Sequence, residues 1–400
     1  MTRKSRSSSL SSSPSPLFRG CFPNVSTSTV SSIVRRKSSG RLRVSSQPLF
    51  TVSNYNFLKR IASLNYGDSI WLVHWKNTNH KYAIKRLTIP LGSMETSLLK
   101  SDSFRKLSQL ESEIAVCERL SQQNHSNIVP IHEVFRHSDV YYIVMNYMNG
   151  GPLMDDSVKS LSSLNPLKLW RYTRDLIAGL GHLHDIKIVH RDIKPSNCLL
   201  DHKDRLRIAD FGLSVDISDQ QDDTLSRSSS TPDCTSVAFT PPEIVLNAEE
   251  WSGFAEDVYA AGVTIFIMAF GRLPFKGDTV QLLQEIAYSE VEFPSEVDPL
   301  LVDLLKGMMN KDPCKRISIG EIKCHPFITK NGSSPFAGTK QIYHASPATS
   351  SNTNHETKTL GLFVPECLKH ELSEAESSLG FSEFSSELTV EYHETHSEFE

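Results

Sequence analysis

The chain has 400 residues, room for two or three average domains or for one catalytic core with tails. Its 42 Lys and Arg nearly balance 46 Asp and Glu, a net charge of −4 that argues against nucleic acid as a partner. Seven cysteines (21, 117, 198, 234, 314, 324 and 367) form no C-x-x-C pair and no finger-like spacing with histidine, so reduced thiols and an intracellular setting are expected.

Residues 1–52 are rich in Ser, Pro and Arg, and the first acidic residue of the chain is Asp68. Such a segment cannot bury enough apolar surface to offset its ordering entropy, so disorder is expected. The acid-poor composition also fits an organelle transit peptide, although Pro14, Pro16 and Pro23 interrupt an amphipathic helix there. Arg35-Arg36-Lys37-Ser38-Ser39 reads either as a phosphorylation site for a basic-directed enzyme or as a solvated charge run.

A folded core is expected over 53–329, opening with a β-rich lobe near Tyr55. Tyr82-Ala83-Ile84-Lys85 reads as a further strand of that lobe, and 86–106 reads as a polar insertion. Leu107, Leu110, Ile114, Cys117 and Leu120 then recur at helical spacing, on a segment that carries Glu111, Glu113 and Glu118. His125-Ser-Asn-Ile-Val and Tyr141-Tyr-Ile-Val-Met145 read as turn, strand, turn and strand. From Gly151 the composition turns helical. Trp170, Leu176, Ile177, Leu180 and Leu183 mark one side of an amphipathic helix over 168–184. Cys198-Leu199-Leu200, a polar turn and Leu206-Arg207-Ile208 predict a short hairpin. The longest apolar run, 259–270, falls short of the ~20 residues a bilayer span takes, so it reads as a buried core helix. Residues 330–400 hold far more Glu than Lys and no Arg. They are expected to be an acidic disordered tail, with one short helix over 365–378.

The stretch 188–214 carries the chemistry. It holds His190-Arg191-Asp192, Lys194, Asn197 and Asp210-Phe211-Gly212, with the predicted hairpin between the two tripeptides. This pair of signatures resembles the eukaryotic Ser/Thr protein kinases. The resemblance implies an α+β, bilobal fold with a β-rich N-lobe and a mainly α-helical C-lobe, acting with ATP and Mg²⁺ on protein substrates. Phosphoryl transfer needs in-line positioning and charge neutralisation more than covalent chemistry. In that frame Asp192 accepts the hydrogen bond and then the proton of the attacking hydroxyl. Lys194 reaches the transferred phosphate as a point charge, and Asn197 and Asp210 hold the metal. Lys85 pairs with the α/β-phosphates. Glu113, which directly precedes an Ile-Ala pair as in the usual frame, is its candidate partner ahead of Glu111 and Glu118.

The same resemblance places Ile61, Leu64, Gly67, Ser69 and Ala83 around ATP, with Met145 behind the adenine and Tyr147 and Met148 in the hinge 146–148. Of the expected G-x-G-x-x-G-x-V frame over 62–69, only the third glycine, Gly67, survives. Leu64 should crowd or stiffen the loop, because close backbone approach to phosphate benefits from missing Cβ atoms. Pro241-Pro242-Glu243 stands where kinases have A-P-E, and Arg316 matches the arginine that salt-bridges that glutamate. Asp257-Val-Tyr-Ala-Ala-Gly262 resembles the D-x-W-x-x-G start of the central helix. Ser228, Ser229, Ser230 and Thr231 lie where phosphorylation orders such loops by pairing with arginine, here Arg191. Ser236 falls where the family has a Thr that touches the substrate loop.

Asn149-Gly-Gly-Pro-Leu-Met-Asp, His190-Arg-Asp-Ile-Lys-Pro-Ser-Asn and Glu321-Ile-Lys-Cys-His-Pro-Phe-Ile-Thr resemble the calcium/calmodulin-dependent protein kinase kinases and related upstream kinases. That likeness implies an enzyme acting on the activation loops of other kinases. Two features depart from it. The stretch after Lys85 lacks an Arg/Pro-rich character, and the tail lacks the basic amphipathic helix that calmodulin targets need, so calmodulin binding is not expected. A cytoplasmic location is expected, with the nucleus also open to the chain. The competing expectation is a pseudokinase-like scaffold, favoured by the degenerate glycine loop and opposed by the intact Lys85, Glu113, Asp192, Asn197 and Asp210.

Overall fold

The computed structural model of the chain describes residues 52–64, 67–76, 78, 80–89, 97–154, 163–226 and 234–336, with the backbone alone for 97–104 and 234–236. The expectations for residues 1–51 and 337–400, and for Ser228, Ser229, Ser230 and Thr231, lie outside the described residues.

Five strands build one antiparallel sheet: β1 (Tyr55–Ser63), β2 (Ser69–Trp75), β3 (Lys81–Thr88), β4 (Ile131–His137) and β5 (Val140–Asn146), in the order β1-β2-β3-β5-β4. Their Val, Ile, Trp and Tyr residues suit a pleated, half-buried surface. Val73, Ile84 and Val144 are fully buried with Tyr55 and Tyr142 in one cluster. Helix α1 (Ser97–Ser121) packs against this sheet and starts ten residues before the apolar spacing that betrayed it. No Gly or Pro interrupts 97–121. Once the later turns are anchored, each further residue adds a hydrogen bond at little nucleation cost, so the helix extends into the polar stretch.

After β6 (Gly151–Pro152) comes α2 (Pro166–Asp185), begun by an Asn165 side chain that accepts from Lys168 N–H and by Pro166 in the first turn. β7 (Ile188–Val189), β8 (Cys198–Leu200), β9 (Leu206–Ile208), β10 (Val215–Asp216) and β11 (Thr224–Ser226) are short. They pair as β6-β8-β9, β10-β7 and, with β12 (Glu250–Ser252), β11-β12. The hairpin expected between His-Arg-Asp and Asp-Phe-Gly is β8–β9. α3 (Pro242–Val245), α4 (Gly253–Phe270), α5 (Thr279–Tyr288), α6 (Pro299–Met308), α7 (Ile319–Cys324) and α8 (Pro326–Thr329) complete a mainly helical lobe.

α4 is long and apolar enough to cross a membrane by length and composition. Fourteen of its 18 residues are buried, against the likes of Leu176, Leu180 and Leu183 of α2 and Leu304 and Leu305 of α6. An apolar surface on all sides is what the central helix of a layered core requires. Packing continues past α8. Arg174 Nη1 donates to the Ser334 carbonyl at 2.7 Å, and its guanidinium lies 4.9 Å from the Phe336 ring centre.

One ion pair fastens the lobe. Arg316, with none of its side chain exposed, donates to both carboxylate oxygens of Glu243 at 2.7 and 2.9 Å, and also to the carbonyls of Ala255 and Asn310. Replacing Arg316 by Ala strands the Glu243 carboxylate in a buried site, so unfolding stability should fall by ~3–5 kcal/mol. A shift of the urea midpoint worth less than about 1 kcal/mol, the range of exposed pairs, would show that the pair is screened instead.

Candidate active site

β3 turns Lys85 off the sheet toward α1. Its ammonium lies 2.7 Å from Glu113 Oε1 and 2.7 Å from Asp210 Oδ1, with only 8% of the side chain exposed. Burial pulls the Lys85 pKa down, but Asp210 and Glu113 outweigh it and the net direction is up. For Asp210 burial works upward, yet Lys85 and the Gly212 N–H hold its carboxyl down to about 2. Glu113 is deeper, and there burial wins over Lys85 and raises its pKa. Of the three candidate glutamates on α1, Glu113 is the one that meets Lys85.

α1 is held in that rotation by three further bonds to the chain after Asp-Phe-Gly. Gln109 Nε2 donates to the Gly212 carbonyl at 3.0 Å, Ser112 Oγ to the Ser214 carbonyl at 2.8 Å, and Arg119 Nη1 to Asp216 Oδ1 at 2.7 Å. None of these three was legible in the sequence, because each rests on a contact about a hundred residues away.

The loop after β7 hangs from one buried carboxylate. Asp257 of α4 accepts from His190 N–H at 2.8 Å and from Arg191 N–H at 2.7 Å, and bonds His184 Nε2 at 2.9 Å. Arg191 takes a left-handed φ of 66°, which the bonds to Asp257 stabilise. His190 receives Asp192 N–H on Nδ1, and its Nε2 faces the Ala209 carbonyl at 3.1 Å, so the neutral Nε2–H tautomer fits both contacts. Beyond it, Asp192 Oδ2 lies 3.0 Å from Lys194 Nζ and accepts from Asn197 Nδ2 at 2.8 Å. Asn197 Nδ2 also donates to the Asp192 carbonyl. With the amide N–H₂ so committed, Asn197 offers its amide oxygen, and Asp210 offers the oxygen that Lys85 leaves. An oxygen-only donor set of this kind suits Mg²⁺, so Asn197 and Asp210 would hold such a metal, which would supply charge neutralisation at phosphate.

Lys85, Glu113, Met145 and Asp210 line one cavity with Ala209 and Phe211. Met145 pairs with Ala83 across β5 and β3. Tyr147 is half-buried, and Met148 is buried against Val129 and Ala209 while its carbonyl accepts from Gly151 N–H. Ile61 is exposed on β1, and Gly67 takes a left-handed φ of 83° in the β1–β2 turn. Leu64 closes that turn, its N–H donating to the Asp68 carbonyl at 2.9 Å. Ser69 is buried, its hydroxyl accepting from the Trp71 indole at 3.0 Å. Asp68 accepts from Thr88 N–H at 2.7 Å and lies 3.7 Å from Lys106 Nζ, which pins the turn to β3 and α1. The sequence singled out Asp68 only as the first acidic residue. Ser236 falls in a 3₁₀ turn, Cys234–Phe239. Arg191 extends its side chain toward Glu256 of α4, a residue the sequence did not single out.

A comparison of the sequence with known families matches the protein kinase domain over residues 55–328. Among curated proteins the chain is 33% identical over 291 residues to a probable serine/threonine-protein kinase of Dictyostelium discoideum, covering 71% of this chain and 39% of that protein. It is 33% identical over 282 residues to serine/threonine-protein kinase GRIK1 of Arabidopsis thaliana, covering 70% of this chain and 67% of that one. A serine/threonine-protein kinase stk11 homolog of Dictyostelium discoideum is 35% identical over 221 residues, which cover 54% of this chain and 37% of the homolog. The chain therefore spans well under half of the two Dictyostelium proteins. With the domain matched over more than half its length, the chain belongs to the protein kinase family, as a serine/threonine-protein kinase.

Proposed function

We propose that this chain transfers the γ-phosphoryl group of Mg²⁺-ATP to Ser or Thr hydroxyls of proteins, the activation loops of other kinases among them. The observation that carries this reading is the meeting of Lys85 with both Glu113 and Asp210 at 2.7 Å, beside the Asp192–Lys194–Asn197 cluster. Asp192 is aimed by Asn197 and would accept the hydrogen bond of the incoming hydroxyl, then its proton. Lys194, 3.0 Å from Asp192, would counter charge on the moving phosphoryl group. Lys85 would fix the α/β-phosphates. Bound Mg²⁺, held by Asn197 and Asp210, would supply charge neutralisation at the phosphates.

Kinase activation loops as the substrate class rest on the likeness of 149–155, 190–197 and 321–329 to upstream kinases. The cytoplasm, or the nucleus, is the proposed location. Among the described residues Cys117, Cys198, Cys314 and Cys324 are all free thiols, as such a setting would keep them.

A pseudokinase-like scaffold is the second reading, favoured by the β1–β2 turn. The Leu64 N–H is already spent on the Asp68 carbonyl, and two of three glycines are missing. Asp210→Asn separates the two readings. Phosphorylation should fall by ~10²-fold or more, as when such charge stabilisation is removed elsewhere, while a cooperative melting transition shows that the variant is still folded. Retention of more than about a tenth of the turnover, well above that ~10²-fold expectation, would sink the active-kinase reading.

Leu64→Gly, alone and with Ala62→Gly, should raise ATP affinity or turnover, because the loop backbone could then approach phosphate more closely. Titration with ATP and steady-state rates measure both quantities. No change in either variant would mean that the turn already binds phosphate in its present shape.

A further inference from the structure

The Arg191 guanidinium lies in an unusual place for a group expected to await a phosphate. Only 8% of the side chain is exposed, its Nε makes no hydrogen bond, and that atom is 3.6 Å from Glu256 Oε2. A buried guanidinium needs an anion nearby, and the anion present is a carboxylate of the chain itself. The same Oε2 accepts from the Trp251 indole at 2.8 Å. Trp251 sits on β12, opposite Leu225 of β11, in the segment that follows Asp-Phe-Gly. One carboxylate thus joins three pieces: the catalytic loop through Arg191, the β11–β12 ribbon through Trp251, and α4, on which it stands. Its neighbour Asp257 takes the Arg191 N–H, so the dipeptide Glu256-Asp257 grips Arg191 by both backbone and side chain.

Resting on the kinase reading, we propose that Glu256 is a positioning residue for phosphoryl transfer: it is the resident counter-ion of Arg191 and cross-links the catalytic loop to the activation segment without any added phosphate. Arg191 is then an internal strut rather than a receiver for Ser228, Ser229, Ser230 or Thr231. The strut is sensitive to protons. Burial pushes the Glu256 carboxyl up to about 7, with Arg191 and the Trp251 indole opposing and Asp257 and Glu243 adding to the rise. The groups that face it are Arg191 from the catalytic loop, Trp251 from β12, Asp257 from α4, and Glu243 of α3 with its partner Arg316. Above that pH Glu256 is ionised and holds Arg191. Below it the carboxyl is neutral and the attraction is gone.

The test uses the full chain after phosphatase treatment, with Mg²⁺-ATP and casein as the acceptor. Wild type should keep its activity after the treatment, and its kcat should rise as pH passes upward through about 7. Glu256→Gln should lower kcat roughly tenfold, within the range that a small misplacement of catalytic groups costs, leave KM for ATP unchanged and flatten that pH step. Arg191→Gln should do the same, and the double variant should be no worse than either single one. Loss of wild-type activity on phosphatase treatment, or multiplied effects in the double variant, would overturn the proposal. A second readout does not need turnover. The indole N–H signal of Trp251, assigned with Trp251→Phe, should titrate near pH 7 in wild type and not in Glu256→Gln. If wild type shows no kinase activity but the indole titrates as stated, the kinase reading fails and the Arg191–Glu256 pairing stands. If the indole does not respond to Glu256, the pairing falls whatever the activity.

Discussion

A lysine ammonium cannot remain charged inside a protein unless carboxylates come to it. Lys85 meets that demand by drawing in Glu113 from α1 and Asp210 from a loop 125 residues away in sequence. Apolar packing is non-directional, so it would allow α1 to roll against the sheet. The charge requirement does not. Gln109, Ser112 and Arg119 then fix the same rotation from further along the helix, each bonding to Gly212 or to the chain just after Asp-Phe-Gly. Sheet, helix and catalytic loops are thereby set relative to one another by five polar contacts laid over an apolar core.

The lower half of the site follows the same logic with the signs reversed. Asp257, fully buried, is an anion that must be satisfied by donors, and it finds two backbone N–H groups of the catalytic loop and His184. The left-handed backbone at Arg191 and Asp210 (66° and 61°) is costly for residues with a Cβ. It persists where hydrogen bonds to Asp257 and Gly212 over-determine it. Two of the eight left-handed non-glycine residues among the described residues thus stand in the site itself.

Much of this arrangement was legible in the sequence, because the signatures are local. The hairpin between His-Arg-Asp and Asp-Phe-Gly could be read from its own residues. Glu113 could be ranked above Glu111 and Glu118 only by frame, and α1 could be seen only from Leu107, where its apolar spacing begins. Its first ten residues hold only Leu98, Leu99 and Phe104 as apolar positions, too few to set a helical period. Asp68, Gln109, Ser112, Arg119 and Glu256 escaped for one reason. An isolated polar residue announces no partner, and the partners of these five lie on other elements of the fold. Asp257 is an intermediate case, since its motif was visible while its load was not.

The carboxylates show what such long-range placement decides. Burial alone raises every one of them. Asp201 is nearly as buried as any, yet it is held down to about 2, because two backbone N–H groups and the guanidiniums of Arg205 and Arg207 bond to it. Glu256 has one indole and a guanidinium that stops at 3.6 Å, so burial wins. The number and closeness of donors separate the two. Asp201 therefore stays ionised at any physiological pH and serves as a fixed fastener of the β8–β9 turn. Glu256 is balanced near neutrality at the joint between catalytic loop and activation segment, where one proton changes the charge that faces Arg191.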